Sequence, residues 1–550
     1  MKNYSKIFQL GILMISMLFI ASCSSKKSSL TAIPKDAGFV MVVDGAALTA
    51  KSGVQDFTQT KAYKKLISEM TEEELSNLSE FDYILKDSKE SGLGINEEFI
   101  VFTKISEGEP IVGLNLLIVD KAKLDALMKS IMEREDVDVE IVEDADISTM
   151  LLADNEGVFA WNNTQFLVLA HEDLAAEALV NEAKALLKQG AKESISSNSV
   201  YADFYAKKKD VSIWFDYDMI FKNMPPAQQM MLTSQLPFNM SGSSFNAYIN
   251  FEKGKVVAEY ESVLNDEMKD FIKDYKFIND DFDVDVLKLM PETSFANMEM
   301  SINFYDYYHM FMDMYKEKQV DTEMYTKQVE QELGMSIDDI LNSFSGEIAF
   351  SLHGVQFAEK IVPEFKIVDG EYKMTYDTIN APELMYSAVI KYNDDKVWGI
   401  IEENAAKAGM EKTDNYYHIA AANLSIAYYN NVMVITNDKG IIDKLNADGS
   451  LDPNMSSSEA AKHLSNFATY AEVNMDIDSY PQEVVDYLKS EAGESSDAIL
   501  KLLSTYKRLQ VVPEDMYHAK IILEMKDDSK NSLEIIINNF DDSVDLISQN

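Results

Sequence analysis

Apolar residues fall on every second position at Val211, Ile213 and Phe215, and again at Met298, Met300 and Ile302. That period belongs to an antiparallel sheet with one covered face. Stretches of helical period lie between the strand patterns, near 55–90, 120–133, 172–188, 265–278, 304–333, 394–408 and 480–507. The predicted fold is α+β, with a curved antiparallel sheet and helices packed on one of its faces.

The pattern recurs along the chain. "AIPKDAGFVMVVD" (32–44) matches "LMPETSFANMEMSI" (289–302) in kind: a proline, a polar turn, a phenylalanine, then a strand. Residues 112–128 pair in the same way with 386–403, 159–170 with 427–436, 209–218 with 470–479, and 245–261 with 516–537, the last pair read as closing hairpins. Five matches in one order predict two tandem similar units, 31–285 and 286–550. Asn162-Asn163 and Asn430-Asn431 are read as turn residues, since asparagine tolerates positive φ. Trp161 and Tyr429 beside them are read as cross-strand packing partners, with sugar stacking as the alternative.

The N-terminus predicts an address. Lys2 and Lys6 precede a largely apolar run, Ile7 to Ile20, which is too short to span a bilayer and reads as a secretory signal. Ile20-Ala21-Ser22-Cys23 resembles the lipobox of bacterial lipoproteins, and Cys23 is the single cysteine of 550 residues. The resemblance implies a signal peptide over 1–22, cleavage between Ser22 and Cys23, and acylation of Cys23 with palmitate-type chains. Several chains anchor stably where one does not. Residues 23–30 read as a flexible, serine-rich tether. By analogy with lipoprotein sorting, Ser24 points to the outer membrane. The absence of acids just after Cys23 points to its periplasmic face, with the cell surface as the alternative. The lipobox, the "IPKDAGFVMVVDGAAL" opening and the two-copy layout together resemble an uncharacterised lipoprotein family of Bacteroides-type bacteria, known only as a domain of unknown function. The resemblance supports the address and implies no activity.

Charge narrows the partners. With 93 acidic and 49 basic residues the net charge is −44, a field that disfavours nucleic acid and anionic headgroups. Hydrophobic residues at 46% indicate a folded chain. The six histidines show no metal-ligand spacing, and neither a nucleophile elbow nor a phosphate-binding loop occurs. Asp281, Asp283 and Asp285 are read as a solvated connection rather than a calcium loop, and "NADGSLD" (446–452) as a loop after a helix. No catalytic residue, metal or cofactor is assigned.

Two apolar stretches remain. "NFYDYYHMFMDMY" (303–315) carries aromatic residues or methionine on nearly every helical face, with Asn303 as its N-cap and Asp306 in the first turn. Such a helix is either buried or an adaptable contact surface. "MPPAQQMMLTSQLPFNM" (224–240) is the first half's most distinctive insertion. Met224, Met230, Met231, Leu232 and Phe238 there, with Phe304, Tyr308 and Phe311, are the candidate partner contacts. The expected function is non-enzymatic: a lipid-anchored binding or scaffold protein of the envelope, held to the membrane and to an envelope protein partner. A glycan-binding or glycan-processing lipoprotein, and a hydrolase with a site assembled from distant residues, are the alternatives.

Overall fold

The computed structural model describes residues 29–547 except 55–58, 70–90, 107–108, 135–139, 153–156, 172–173, 220–238, 318–322, 369–370, 414 and 494–495. The expected lipid site Cys23, the expected cleavage residue Ser22 and the candidate contacts Met224, Met230, Met231, Leu232 and Phe238 lie outside the described residues. The chain forms helices and antiparallel strands, and contacts divide it into two compact units, residues 1–271 with 517–550, and residues 272–516. These bounds differ from 31–285 and 286–550. The chain's last segment returns to the first unit.

The strands of the first unit are β1 (Phe39–Asp44), β2 (Glu98–Ser106), β3 (Glu109–Leu117), β4 (Ile141–Asp144), β5 (Ile147–Leu151), β6 (Gly157–Trp161), β7 (Gln165–Ala170), β8 (Val211–Asp216), β9 (Ser244–Glu252) and β10 (Lys255–Val263). Those of the second are β11 (Ala296–Ser301), β12 (Phe344–Val368), β13 (Glu371–Tyr392), β14 (Glu411–Thr413), β15 (Tyr416–Ile419), β16 (Leu424–Tyr429), β17 (Val432–Thr436), β18 (Thr469–Asn474) and β19 (Tyr506–Pro513). β20 (His518–Met525) follows and pairs with β10.

The strands make one large sheet, and every described pairing in it is antiparallel. Within the first unit its order, that of the first sheet, is β4-β5-β6-β7-β3-β2-β1-β8-β9-β10-β20. Within the second unit it is β14-β15-β16-β17-β13-β12-β11-β18-β19. Strand for strand, β4 to β9 and β14 to β19 take the same places. Residues 516–537 are not a hairpin: they hold β20 and the start of a helix, Ser532–Ile547.

Helices cover both faces of the first sheet, not one. Val40, Val42, Ile100, Phe102, Leu167, Leu169 and Trp214 form a core on one face with helices Ala176–Lys188 and Ser199–Ala206. Val43, Phe99, Leu114, Leu116, Phe166 and Val168 form another on the opposite face with helices Gly45–Ser52 and Lys121–Arg134. The cause is in the strands themselves. "FVMVV" in β1 and "FIVF" in β2 are continuous apolar runs, which need cover on both sides. Gly113 belongs to this packing, since a Cβ there would sit 2.2 Å from Phe102 Cζ.

Alternation misleads where it looks clearest. In β8 the buried residues are Ser212 and Trp214, with Val211, Ile213 and Phe215 only half-buried. In β11 Asn297, Glu299 and Ser301 are buried, while Met298 is 40% exposed. The tether also ends earlier than expected. Ser29 is buried in a 3₁₀ turn, Ser29–Ala32, and its hydroxyl donates to Glu98 Oε1 at 2.6 Å.

Phe102→Ala should destabilise the first unit by about 3–5 kcal/mol. Met298→Gln should cost less than about 0.5 kcal/mol, because it touches an exposed position. Urea unfolding followed by tryptophan fluorescence and far-UV circular dichroism measures both. A large loss on Met298→Gln would restore the simple one-face reading of β11.

Candidate functional site

The second unit holds the unusual chemistry, on both faces of its sheet. On the inner face a polar row crosses seven strands in register: Ser425, Thr436, Ser387, Ser351, Asn297, Glu472 and Gln510. All but Glu472 are at least nine-tenths buried. A row through Val40 in the first sheet instead reads Val158, Leu169, Gly113, Phe102, Val40, Trp214 and Asn246. Buried polar groups must find partners. Ser387 Oγ donates to Thr436 Oγ1 at 2.9 Å, which donates to the Tyr386 carbonyl at 2.7 Å. Gln510 donates to the Tyr470 hydroxyl at 2.7 Å, and that hydroxyl donates to Glu472.

Glu299 is the extreme member of this face. It is fully buried between Ala349 and Tyr470, and the Asn297 amide donates to its two oxygens at 3.0 and 3.1 Å. Burial, with the Glu472 carboxylate adding to it, pushes its carboxyl up to about 8. Glu299 therefore carries a proton near neutral pH.

Ser351, His353 and Asp438 also come together. Ser351 Oγ lies 3.4 Å from His353 Nδ1, and His353 Nε2 lies 3.4 Å from Asp438 Oδ2. The second approach lacks hydrogen-bond alignment and leaves Nε2 without a partner. Ser351 is fully buried, and Asp438 accepts from Gly440 N at 2.8 Å to cap helix Lys439–Asp448. A nucleophile needs reach to its substrate. This trio is built as internal polar packing.

The outer face is aromatic. Helix Phe304–Glu317 has no buried residue. Asn303 Oδ1 accepts from Asp306 N at 3.0 Å at its start, the capping that "NFYD" predicts. Phe304 leans on Phe344, ring centroids 5.1 Å apart, and Tyr308 packs on His309. Tyr307 and Phe311, 48% and 39% exposed, pack on each other at 5.3 Å. Tyr307 continues edge-on to Phe277 at 5.8 Å, and Phe277 stacks on Tyr275. Tyr275 donates to Asp313 Oδ2 at 2.7 Å, which ties its loop to the helix. The strip ends at a pocket of about 340 Å³ walled by Tyr275, Phe277, Ile278, Phe467, Pro513 and Met516. Of the sequence-derived contacts, Phe304 thus faces inward, while Phe311 stands on the surface beside Tyr307.

Other candidates resolve into structure. Trp161 and Trp214 are buried, so neither offers a stacking face, and the Trp161 indole donates to Asp125 Oδ1 at 2.9 Å. Trp398 lies flat on Tyr428 at 5.1 Å. Asn430 and Asn431 take positive φ of 48° and 64°, whereas Asn162 serves its turn by accepting from the Thr164 and Gln165 amides. Asp283 pairs with Lys391 at 2.6 Å, which holds its carboxyl below the usual range. Among the described residues, no group of three acids, histidines or cysteines could hold a metal ion, and no helix is long and apolar enough to cross a membrane.

Sequence reasoning also missed a long hairpin arm. Beyond Leu352, β12 pairs only with β13, from Gly354 opposite Met385 to Val368 opposite Glu371. The result is a two-stranded arm on which Phe357 and Tyr376 are 64% and 70% exposed. Its signal was Asp369-Gly370, a tight-hairpin dipeptide between two β-rich runs.

A family model described as "Domain of unknown function (DUF4836)" matches residues 30–533. No curated protein matches the chain. Among solved structures, "Structure of crystal form III of TP0453" aligns at 7% identity over 44% of this chain and 82% of that one, with a TM-score of 0.26, too low to carry an argument.

Glu299→Gln should flatten the pH dependence of stability. Its folded value lies above the unfolded value near 4.5, so its contribution is complete below about pH 4.5 and is lost as pH rises toward 8. The wild type should lose up to about 1.4 kcal/mol per pH unit across that window relative to the glutamine variant. Urea midpoints measured from pH 4 to 9 give the difference directly. Parallel curves would place Glu299 in water.

Proposed function

Because the chain belongs to the DUF4836 family, defined as a domain of unknown function, we propose its role from its own surface: a non-enzymatic binding or scaffold protein of the cell envelope, docking its partner on the aromatic helix of the second unit. One observation carries this reading: a 14-residue helix rich in Tyr, Phe and Met buries none of its residues. Contiguous exposed apolar surface marks an interaction site in soluble domains. Aromatic rings supply contact area at low entropy cost, and methionines adapt to the partner's shape.

The lipobox supports a lipid anchor on Cys23 and placement at the outer membrane, on its periplasmic face. Cys23 precedes the buried Ser29 by six residues. Six extended residues span about 20 Å at most, so the anchor would hold the first unit close to the bilayer. The matching strand orders support an origin of the two units by duplication. In that account the first copy kept an apolar interior, and the second changed both its interior and its surface.

Tyr307→Ser with Phe311→Ser should remove an envelope partner from cross-linked cells while leaving the unfolding midpoint within about 0.5 kcal/mol of wild type. A cross-linked partner that persists undiminished would count against the helix as the docking surface. Separately, Cys23→Ala should abolish palmitate labelling and release the protein from the membrane fraction. Retained label would place the lipid elsewhere.

A further inference from the structure

We propose that the β12–β13 arm pairs with the arm of a second copy of this chain, β13 against β13, about a two-fold axis at Thr375. This surface is separate from the aromatic helix and does not depend on it.

An antiparallel strand turns the N–H and C=O of alternate residues toward one neighbour and those between toward the other. In β13 the even-numbered residues turn theirs away from β12. The Tyr386 N–H and the Leu384 carbonyl bond to the Asn437 side chain at 2.9 and 2.8 Å, and the Thr378 N–H donates to Asp377 Oδ1 at 2.9 Å. Pro382, which has no N–H to give the ladder, falls on the same parity, and so does Pro363 of β12, opposite Tyr376. Pro363 therefore interrupts the outer edge of β12. The outer edge of β13 pairs with β17 over Ser387–Lys391 and is closed next by Asn437 and Pro382. From 372 to 380 it contains no proline and has no strand partner among the described residues. A two-stranded ribbon is marginal in water until another strand or a packed face supports it.

Charge and apolar matching select a second copy as that strand. Of the two-folds along 372–380, only the one at Thr375 sets opposite charges across from each other: Lys373 of each copy faces Asp377 of the other. It also sets Met374, 54% exposed, across from Tyr376 in both halves of the pairing, a favourable sulfur–aromatic match. Two-folds at Lys373 or Asp377 would set like charges face to face, which destabilises a pairing. The net charge of −44 repels two copies at long range, but at 0.15 M salt that repulsion is screened beyond about 8 Å.

Single-thiol cross-linking of the purified full chain carrying Cys23→Ala tests the register, since Cys23 is its only cysteine. Facing residues at the two-fold lie about 4.5 Å apart between Cα atoms, within disulfide reach, whereas the two copies of position 379 lie about 27 Å apart. Under mild copper–phenanthroline oxidation, Thr375→Cys should form a disulfide-linked dimer at least about tenfold faster than Ile379→Cys. Lys373→Asp should slow the Thr375→Cys reaction about fivefold or more, and adding Asp377→Lys should restore it. Equal rates at 375 and 379, a rate unchanged by Lys373→Asp, or no recovery on adding Asp377→Lys would each overturn the proposal. So would the absence of any dimer, the result expected if this edge takes an extended segment of another protein.

Discussion

A wide antiparallel sheet must have something on both of its faces, and the rest of this protein follows from how each unit meets that demand. In the first unit the strands are apolar on both sides. Helices close over Val40, Phe102 and Trp214 on one face and over Val43, Phe99 and Leu116 on the other. Hydrophobic burial dominates there, and buried polar residues such as Asn115, Gln165, Asp210, Ser212 and Asn246 sit among it.

The second unit meets the same demand with different material. Its strand β11 turns Asn297, Glu299 and Ser301 inward and leaves Met298 outside. Hydrogen bonds join members of this polar row, while His353 Nε2 is left without one, at a cost in stability. Val389, Val434 and Tyr470 still supply an apolar core beside the polar row. Exposed apolar residues of this unit stand on the helix of Tyr307 and Phe311, on the arm of Phe357 and Tyr376, and around the pocket at Phe467.

Much of the architecture was legible in the sequence. The Asn430-Asn431 turn, the strand after "LMPETSF" and the capped start of the aromatic helix all stand where residue type put them. The five ordered matches located corresponding strands in both sheets, apart from 516–537, where the helix after β20 was missed. Two failures have physical causes. Alternation in β8 and β11 identified a face without saying which side of it was covered, so Met298 and Met300 were assigned inward. Continuous runs such as "FVMVV" were given one buried face because tertiary cover on the second is not written locally. The pocket was not legible at all. Its walls come from three segments, 275–280, 466–469 and 513–516, that only the fold brings together.

The central claim is that the second unit buries a polar row beside its apolar core and exposes apolar residues on its surface, and that a partner covers that surface in the cell. Hydroxyl-radical footprinting of the purified protein and of intact cells tests both halves at once. The account predicts rapid oxidation of Met298, Tyr307, Phe311 and Tyr376 in the purified protein, slow oxidation of the buried Met290 and Met455, and protection of Tyr307 and Phe311 in cells. Protection of Met298 and Tyr307 in the purified protein would contradict the exposed placement of these residues. Equal labelling of Tyr307 and Phe311 in both samples would contradict the docking surface.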